Sequence, residues 1–266
     1  MPQIVSVSDP ADPRIEGFRD VRERDLVGRA GMFVAEGEVV LKTLAEGRSP
    51  HRLRSLLIAE KRIPGLMPLL EKLPEEVPVY AAAQAVMDAV AGFSIHRGIL
   101  GLGVRAPEPG LDAALAALPA RATVAVFSAI ANHDNIGGLF RNAAAFGVDL
   151  AVLDSDCCDP LYRKAIRVSV GAALTVPTAR GGRIADILEA LAAAGFDLLG
   201  LSPRGETALA DYARGARAAA VFGAEGPGLS EAVLARTVRL RIPMAAGFDS
   251  LNVATAAGIV LHHLMR

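Results

Sequence analysis

The hydrophobic pattern of this chain changes rhythm partway along. Before residue 105, apolar runs of strand character such as "RSLLIAEKR" and "VPVYAAA" alternate with helical patterns in "EGEVVLKTLAEG" and "AAAQAVMDAVAG". They predict a small α/β or α+β domain of roughly 100 residues. After residue 120 the order becomes strand, loop, helix, repeated. "ATVAVFSAI", "LAVLD", "FDLLGLS", "AAAVFGAEG" and "RLRIP" read as strands; "GGLFRNAAAFG", "PLYRKAIRVS", "GRIADILEALAAAG" and "LNVATAAGIVLHHL" read as helices. Nearly continuous apolar strands between helices predict an α/β fold with a parallel sheet covered on both faces. Pro107, Pro109 and Gly110 punctuate the stretch in between, and Pro119 stops a short alanine-rich helix. The expected division is a domain at 1–105, a linker at 106–120 and a second domain at 121–266.

Composition narrows the function classes. The 266 residues carry 28 Lys+Arg against 29 Asp+Glu, a net charge of −1, which excludes a globally basic nucleic-acid binder but not a local patch. Lys42, Lys61, Lys72 and Lys164 are the only lysines. The remaining basic residues are arginines, whose planar fork suits phosphate, although a biased coding sequence gives the same preference. No apolar run reaches the ~18 residues of a membrane span, and the amino terminus lacks a signal-peptide pattern. Cys157 and Cys158 are neighbours, and His51, His96, His133, His262 and His263 have no ligand spacing. A cytoplasmic protein without a metal is expected.

"GLGVRA" matches the dinucleotide pattern G-x-G-x-x-A, but Pro107 and Pro109 forbid the helix that this pattern must open. Serine-nucleophile and P-loop patterns are absent. Three polar constellations remain. In "NHDNIGGLFRNAAAFG", residues 132–135 form a polar loop at a strand end, where ligands of open α/β sheets collect. Gly137 and Gly138 then open a helix, and Arg141 rides its first turns, solvated or in need of a partner. In "YRKAIRVSVGAALTVP", Arg163 and Arg167 lie four apart beside Lys164, a face that binds phosphate or is simply solvated. The third constellation joins "VFGAEGPGLS", where Glu225 stands among Gly223, Gly226 and Gly228, to "RIPMAAGFDSLNVATAAG". There Ser250 is the expected N-cap of the last helix, and Asn252 is surplus to a cap.

Taken together, "DNIGGLFRNAAAFGV", "RVSVGAALTVP", "VFGAEGPGLS" and "IPMAAGFDSLNVATAAGI" resemble the SpoU (TrmH-type) RNA ribose 2′-O-methyltransferase family of the SPOUT superfamily, in the family's order over residues 123–266. "FVAEGEVVLKTLAEG" is similar to the extension, like ribosomal protein L30e, that many members carry. The resemblance implies a SPOUT-type parallel sheet with a C-terminal trefoil knot, preceded by a small L30e-like RNA substrate-binding domain. It implies a homodimer, S-adenosyl-L-methionine as cofactor, and 2′-O-methylation of structured RNA, ribosomal ahead of transfer RNA. By position it assigns Asn135, Arg141, Glu225, Ser250 and Asn252 to catalysis, with Arg141 as the family's catalytic arginine. Gly223, Ile242 and Leu251 fall on its cofactor-contacting positions, while Arg163, Lys164 and Arg167 are the expected RNA contacts. The loop "ANHDN" departs from the family's "NPxN" form, which leaves the role of His133 open. A catalytically silent RNA-binding protein of the same fold and a base-modifying SPOUT methyltransferase are the alternatives.

Overall fold

Alternating apolar positions build a mixed sheet from the first hundred residues of the computed structural model, which describes residues 2–19, 31–92, 95 and 97–265. By contacts the chain groups into two units, Met1–Ala106 with Leu161–Thr175, and Pro107–Pro160 with Val176–Arg266. In the first, β1 (Ile4–Val7), β2 (Met32–Glu36), β3 (Arg52–Ala59), β4 (Val79–Ala82) and β5 (Ile99–Val104) run in the order β1-β4-β3-β5-β2. The first three in that order are parallel, and β5 is antiparallel to both its neighbours. Helices α1 (Glu38–Ala45), α2 (Ile63–Leu70) and α3 (Gln84–Ala91) lie between the strands in sequence. Side chains of β3 alternate between two cores, as the pleat requires. Leu56 and Ile58 join Leu66, Leu70 and Val79, whereas Leu57 joins Tyr80, Met87 and Leu102. The glycines of "GLGVRA" lie in β5, and a Cβ on Gly103 would collide with the Phe33 ring. Their role is packing.

The second unit opens with α4 (Leu111–Ala116), followed by β6 (Ala122–Phe127), α5 (His133–Ala145) and β7 (Leu150–Leu153). After the excursion that carries α6 (Arg163–Val168) come β8 (Thr178–Arg180), α7 (Ile184–Ala193), β9 (Asp197–Leu201) and β10 (Thr207–Ala208). The chain ends with β11 (Arg217–Phe222), α8 (Glu231–Leu234), β12 (Val238–Arg241) and α9 (Val253–Leu264). Seven strands form one sheet, β10-β12-β9-β11-β6-β7-β8, and every pairing is parallel. The chain proceeds from β6 outward through β7 and β8, then crosses to β9 on the other side of β11. Strand order thus reverses beside the β6–β11 pair, and the crevice at the carboxyl ends there is the natural ligand position of an open parallel sheet.

Residues 161–175 were expected within the second domain, yet their contacts group them with the first unit. Leu161, Ile166 and Leu174 bury against Phe33, Ala35, Val40 and Leu44, so the apolar face of α6 finds its cover on β2 and α1. No helix among the described residues is long and apolar enough to cross a membrane.

Candidate active site

Three buried rings fix the strand ends beneath the crevice. Phe127 closes β6, Phe222 closes β11, and Phe140 packs from α5, with centroids 5.7 Å (Phe127–Phe140) and 6.2 Å (Phe127–Phe222) apart. Directly beyond Phe127 the chain makes a sharp turn at Ala129, whose φ of 55° is rare for a residue with a side chain. Asp154, 3% exposed, holds that turn. It accepts from the Ser128 hydroxyl at 2.7 Å, from the Ala129 amide at 3.0 Å and from the Asp156 amide at 3.1 Å. Those bonds offset the cost of burying a carboxylate. Nothing in "LAVLD" beyond a strand end signalled this role, because it depends on β7 lying beside β6.

The helix α5 starts four residues earlier than expected. Asn132 is its N-cap, accepting from the amides of Asp134 and Asn135, so Asn135 occupies the first turn and Gly137 and Gly138 lie inside the helix. Gly138 has a packing reason: a Cβ there would come 2.7 Å from the Cβ of Ala254, so α5 and α9 meet closely. The Asn142 amide donates to the Ala254 carbonyl across the same contact. This apposition brings the head of α9 to the head of α5.

At α9 the cap also differs. Asn252, not Ser250, accepts from the amides of Ala254 and Thr255. With its Oδ1 committed to the cap, its Nδ2 donates to Oδ1 of Asn135 at 2.9 Å. The Asn135 amide, in a residue 6% exposed, in turn donates to Glu225 Oε2 at 2.9 Å. The head of α5, the loop after β11 and the head of α9 are thereby tied by one chain of side-chain hydrogen bonds, Asn252 to Asn135 to Glu225. Each amide uses a donor and an acceptor, so the order of the chain fixes which way both amides face.

Beside this chain lies a cleft of about 910 Å³, lined by residues that follow β9, β11 and β12. Gly223, Ile242 and Leu251 line it, as do Glu225, Ser250 and Asn252. Gly223 permits a close crossing, for a Cβ there would sit 2.6 Å from backbone atoms of Gly228 and Leu229. Ser250 is exposed and its hydroxyl donates to Asp249 at 3.4 Å. Arg141 is exposed on α5, one residue before Asn142, and is not part of the cleft wall. Of the three expected RNA contacts, Lys164 and Arg167 are exposed, but Arg163 is engaged elsewhere. Its Nη1 donates to Glu36 Oε2 at 2.7 Å, because β2 buries that carboxylate and leaves it in need of a cation. Burial pushes the Cys157 thiol up to about 12 and the Cys158 thiol up to about 11, so neither supplies a thiolate nucleophile near neutral pH.

Residues 122–262 match the model of the SpoU rRNA Methylase family. An uncharacterized tRNA/rRNA methyltransferase of Mycobacterium tuberculosis is 40% identical, over 99% of this chain and 92% of its own length. The 23S rRNA (guanosine-2′-O-)-methyltransferase RlmB of Salmonella typhimurium is 29% identical, over 82% of this chain and 92% of its own. Among solved structures, the AdoMet-bound rRNA methyltransferase from Sinorhizobium meliloti superposes with a TM-score of 0.82, covering 98% of this chain and 97% of that one at 19% identity. Coverage of nearly the whole chain by a relative at 40% identity, and of 122–262 by the family model, places the sheet and its crevice in one family. The chain belongs to the SpoU family of RNA methyltransferases.

Proposed function

We propose that this protein transfers a methyl group from S-adenosyl-L-methionine to a ribose 2′-hydroxyl of structured RNA, ribosomal rather than transfer RNA. The observation that carries the reading is the hydrogen-bonded chain Asn252–Asn135–Glu225 beside the cleft at the carboxyl ends of parallel strands. The ribose target is supported by RlmB, and the cofactor by the AdoMet-bound Sinorhizobium enzyme. The reading includes a homodimer, a C-terminal trefoil knot and an L30e-like RNA-binding domain over 1–105 in a cytoplasmic protein.

The cleft suits an amphipathic cofactor. Ile242, Met244, Leu251 and Phe248, the last 70% exposed, offer apolar surface, while Glu225 and Ser250 offer polar groups. Around Gly226 and Gly228 no atom lies within 4 Å of where a Cβ would stand, so the turn leaves space that a side chain would fill. When bound, the cofactor supplies an electrophilic methyl group on a sulfonium. What the protein must add is alignment of the hydroxyl rather than strong acid or base chemistry. Glu225 orients the Asn135 amide, and Asn135 orients that of Asn252. Arg141, whose planar guanidinium fork can donate two parallel hydrogen bonds, is assigned to the RNA phosphate beside the target, stabilising negative charge that develops on the 2′-oxygen. That phosphate, or a water, receives the proton.

Incubation with S-adenosylmethionine and either ribosomal or transfer RNA, followed by nucleoside analysis, should yield a 2′-O-methyl nucleoside from ribosomal RNA. A base-methylated product, or cofactor binding with no product from either RNA, would overturn the reading. Arg141→Lys should slow transfer by roughly 10-fold or more, since lysine cannot hold phosphate with two parallel bonds. A near-normal rate would remove Arg141 from its assigned role.

A further inference from the structure

The wall of the 910 Å³ cleft carries three arginines, Arg204, Arg239 and Arg241, and two of them are committed. Arg239 Nη1 pairs with Glu231 Oε2 at 3.2 Å, and its Nε donates to the Leu234 carbonyl at 3.3 Å. Arg241 Nη1 donates to the carbonyls of Gly205 at 3.0 Å and Glu206 at 2.6 Å. Arg204 is exposed, and among the described residues its guanidinium makes no hydrogen bond or ion pair.

The short turn that bears Arg204 is fastened on several sides. Pro203 sets the backbone at its second position, and the Gly205 amide closes it on the Ser202 carbonyl at 3.0 Å. The Ser202 hydroxyl accepts from the Arg204 amide at 3.3 Å, while the Ser202 amide donates to the Leu240 carbonyl of β12 at 3.0 Å. Gly205 presses on the same strand, where a Cβ would stand 2.5 Å from the Leu240 carbonyl carbon. With the two bonds from Arg241, these contacts hold the Arg204 backbone in one place, so a ligand meets a cation already positioned.

Position along the sheet selects the ligand. Arg204 follows β9, which lies on one side of β11, while β6, which leads to Asn135, lies on the other. At the usual strand spacing the two are about 10 Å apart. The ribose is assigned to the Asn135 side, so the RNA phosphate beside it falls away from Arg204, and the tail of the cofactor falls toward it. S-adenosylmethionine has one anionic group, the carboxylate of its methionyl tail. Gly223, Ile242 and Leu251 have no charged side chain to offer that carboxylate. A guanidinium fork matches it with two parallel bonds.

We infer that Arg204 is a cofactor-binding residue whose guanidinium holds the methionyl carboxylate of S-adenosylmethionine. The inference rests on the reading of the cleft as the cofactor site of a methyltransferase. It makes the site selective for an amino-acid sulfonium over its decarboxylated form.

Calorimetry on the full chain tests this with two probes, S-adenosyl-L-methionine and decarboxylated S-adenosylmethionine, which keeps the sulfonium and the adenosine. Arg204→Gln should weaken S-adenosylmethionine on the order of 10-fold, the lower end for a bond between charged groups because water reaches this one. The decarboxylated probe should bind this variant as it binds wild type. Arg204→Lys, which keeps the charge without the fork, should fall between wild type and Arg204→Gln toward S-adenosylmethionine. Arg183→Gln, which removes a cation paired with Asp186 outside the cleft, should leave both affinities at wild-type values. Equal losses for both probes would mean a displaced turn, and unchanged affinity for both an idle cation; either overturns the inference. Loss of affinity for a ribosomal RNA fragment, with cofactor affinity kept, would reassign Arg204 to an RNA phosphate and overturn it too. Selective loss toward S-adenosylmethionine, in a protein that yields no methylated nucleoside, would keep the carboxylate contact and sink the proposed reaction. 2′-O-methylation by wild type, with no selectivity between the probes at Arg204, would do the reverse.

Discussion

Exchanging a single group tests whether the Asn252–Asn135–Glu225 chain holds the site together. Asn135→Asp replaces the Nδ2 donor by oxygen and keeps Oδ1, which accepts from Asn252. The lost bond is to a charged group, a class worth about 1.5–3 kcal/mol. Glu225 is exposed, and water screens the interaction, so the lower end applies, about 1.5 kcal/mol. Two carboxylate oxygens then face each other across the 2.9 Å that the bond spanned. Like charges so close favour proton uptake by the folded variant. Where the folded state binds more protons than the unfolded chain, stability falls as pH rises. Urea denaturation of variant and wild type should accordingly show a larger deficit at about pH 8 than at about pH 5. Adding Glu225→Gln sets an amide donor opposite the introduced carboxylate and restores the bond with its polarity reversed. A favourable coupling of about 1 kcal/mol or more is expected from the double-mutant cycle. Deficits that are equal at both pH values, together with additive single effects, would refute the reasoning.

Gly223→Ala puts a methyl group 2.6 Å from the backbone of Gly228 and Leu229, so the turn must shift. A stability loss of about 1–3 kcal/mol, with cofactor affinity down in calorimetry, is expected; unchanged values for both would refute the close crossing as a requirement. Cys158, whose thiol burial holds at about 11, should react with iodoacetamide at pH 8 roughly 100-fold more slowly than a free cysteine, and reaction at the free-cysteine rate would contradict that environment. Labelling should speed up as pH rises toward that value, because only the thiolate reacts. Glu36→Gln leaves Arg163 facing a neutral acceptor, and urea denaturation should register a loss of about 2 kcal/mol; a loss below about 0.5 kcal/mol would mean that the pair is dispensable.

The sequence by itself determined most elements of the second unit and the direction of its sheet, though not the short strand β10 or the short helix α8. Apolar runs at "ATVAVFSAI", "FDLLGLS" and "AAAVFGAEG" became β6, β9 and β11 because side-chain periodicity and β-branching act on near neighbours, and the parallel sheet followed from the helices between them. The glycine-flanked turn at Glu225 was equally legible, since only a short list of residues accepts the φ values of 90° and 67° found at Gly226 and Gly228. Tertiary structure decided which polar groups meet. Asn135 reaches Glu225 across 90 residues and Asn252 across 117, distances over which no local pattern carries information. The same holds for the cap of α9. Ser250 and Asn252 are both good caps in isolation, and the choice fell to Asn252 where Gly138 lets α5 approach and supplies Asn135 as a partner for the remaining amide. Arg163 was an expected RNA contact on a face that binds phosphate or is solvated, and only the burial of Glu36 by β2 opposite it gave it a partner. Strand order and register, settled by the packing of whole elements, place such side chains together.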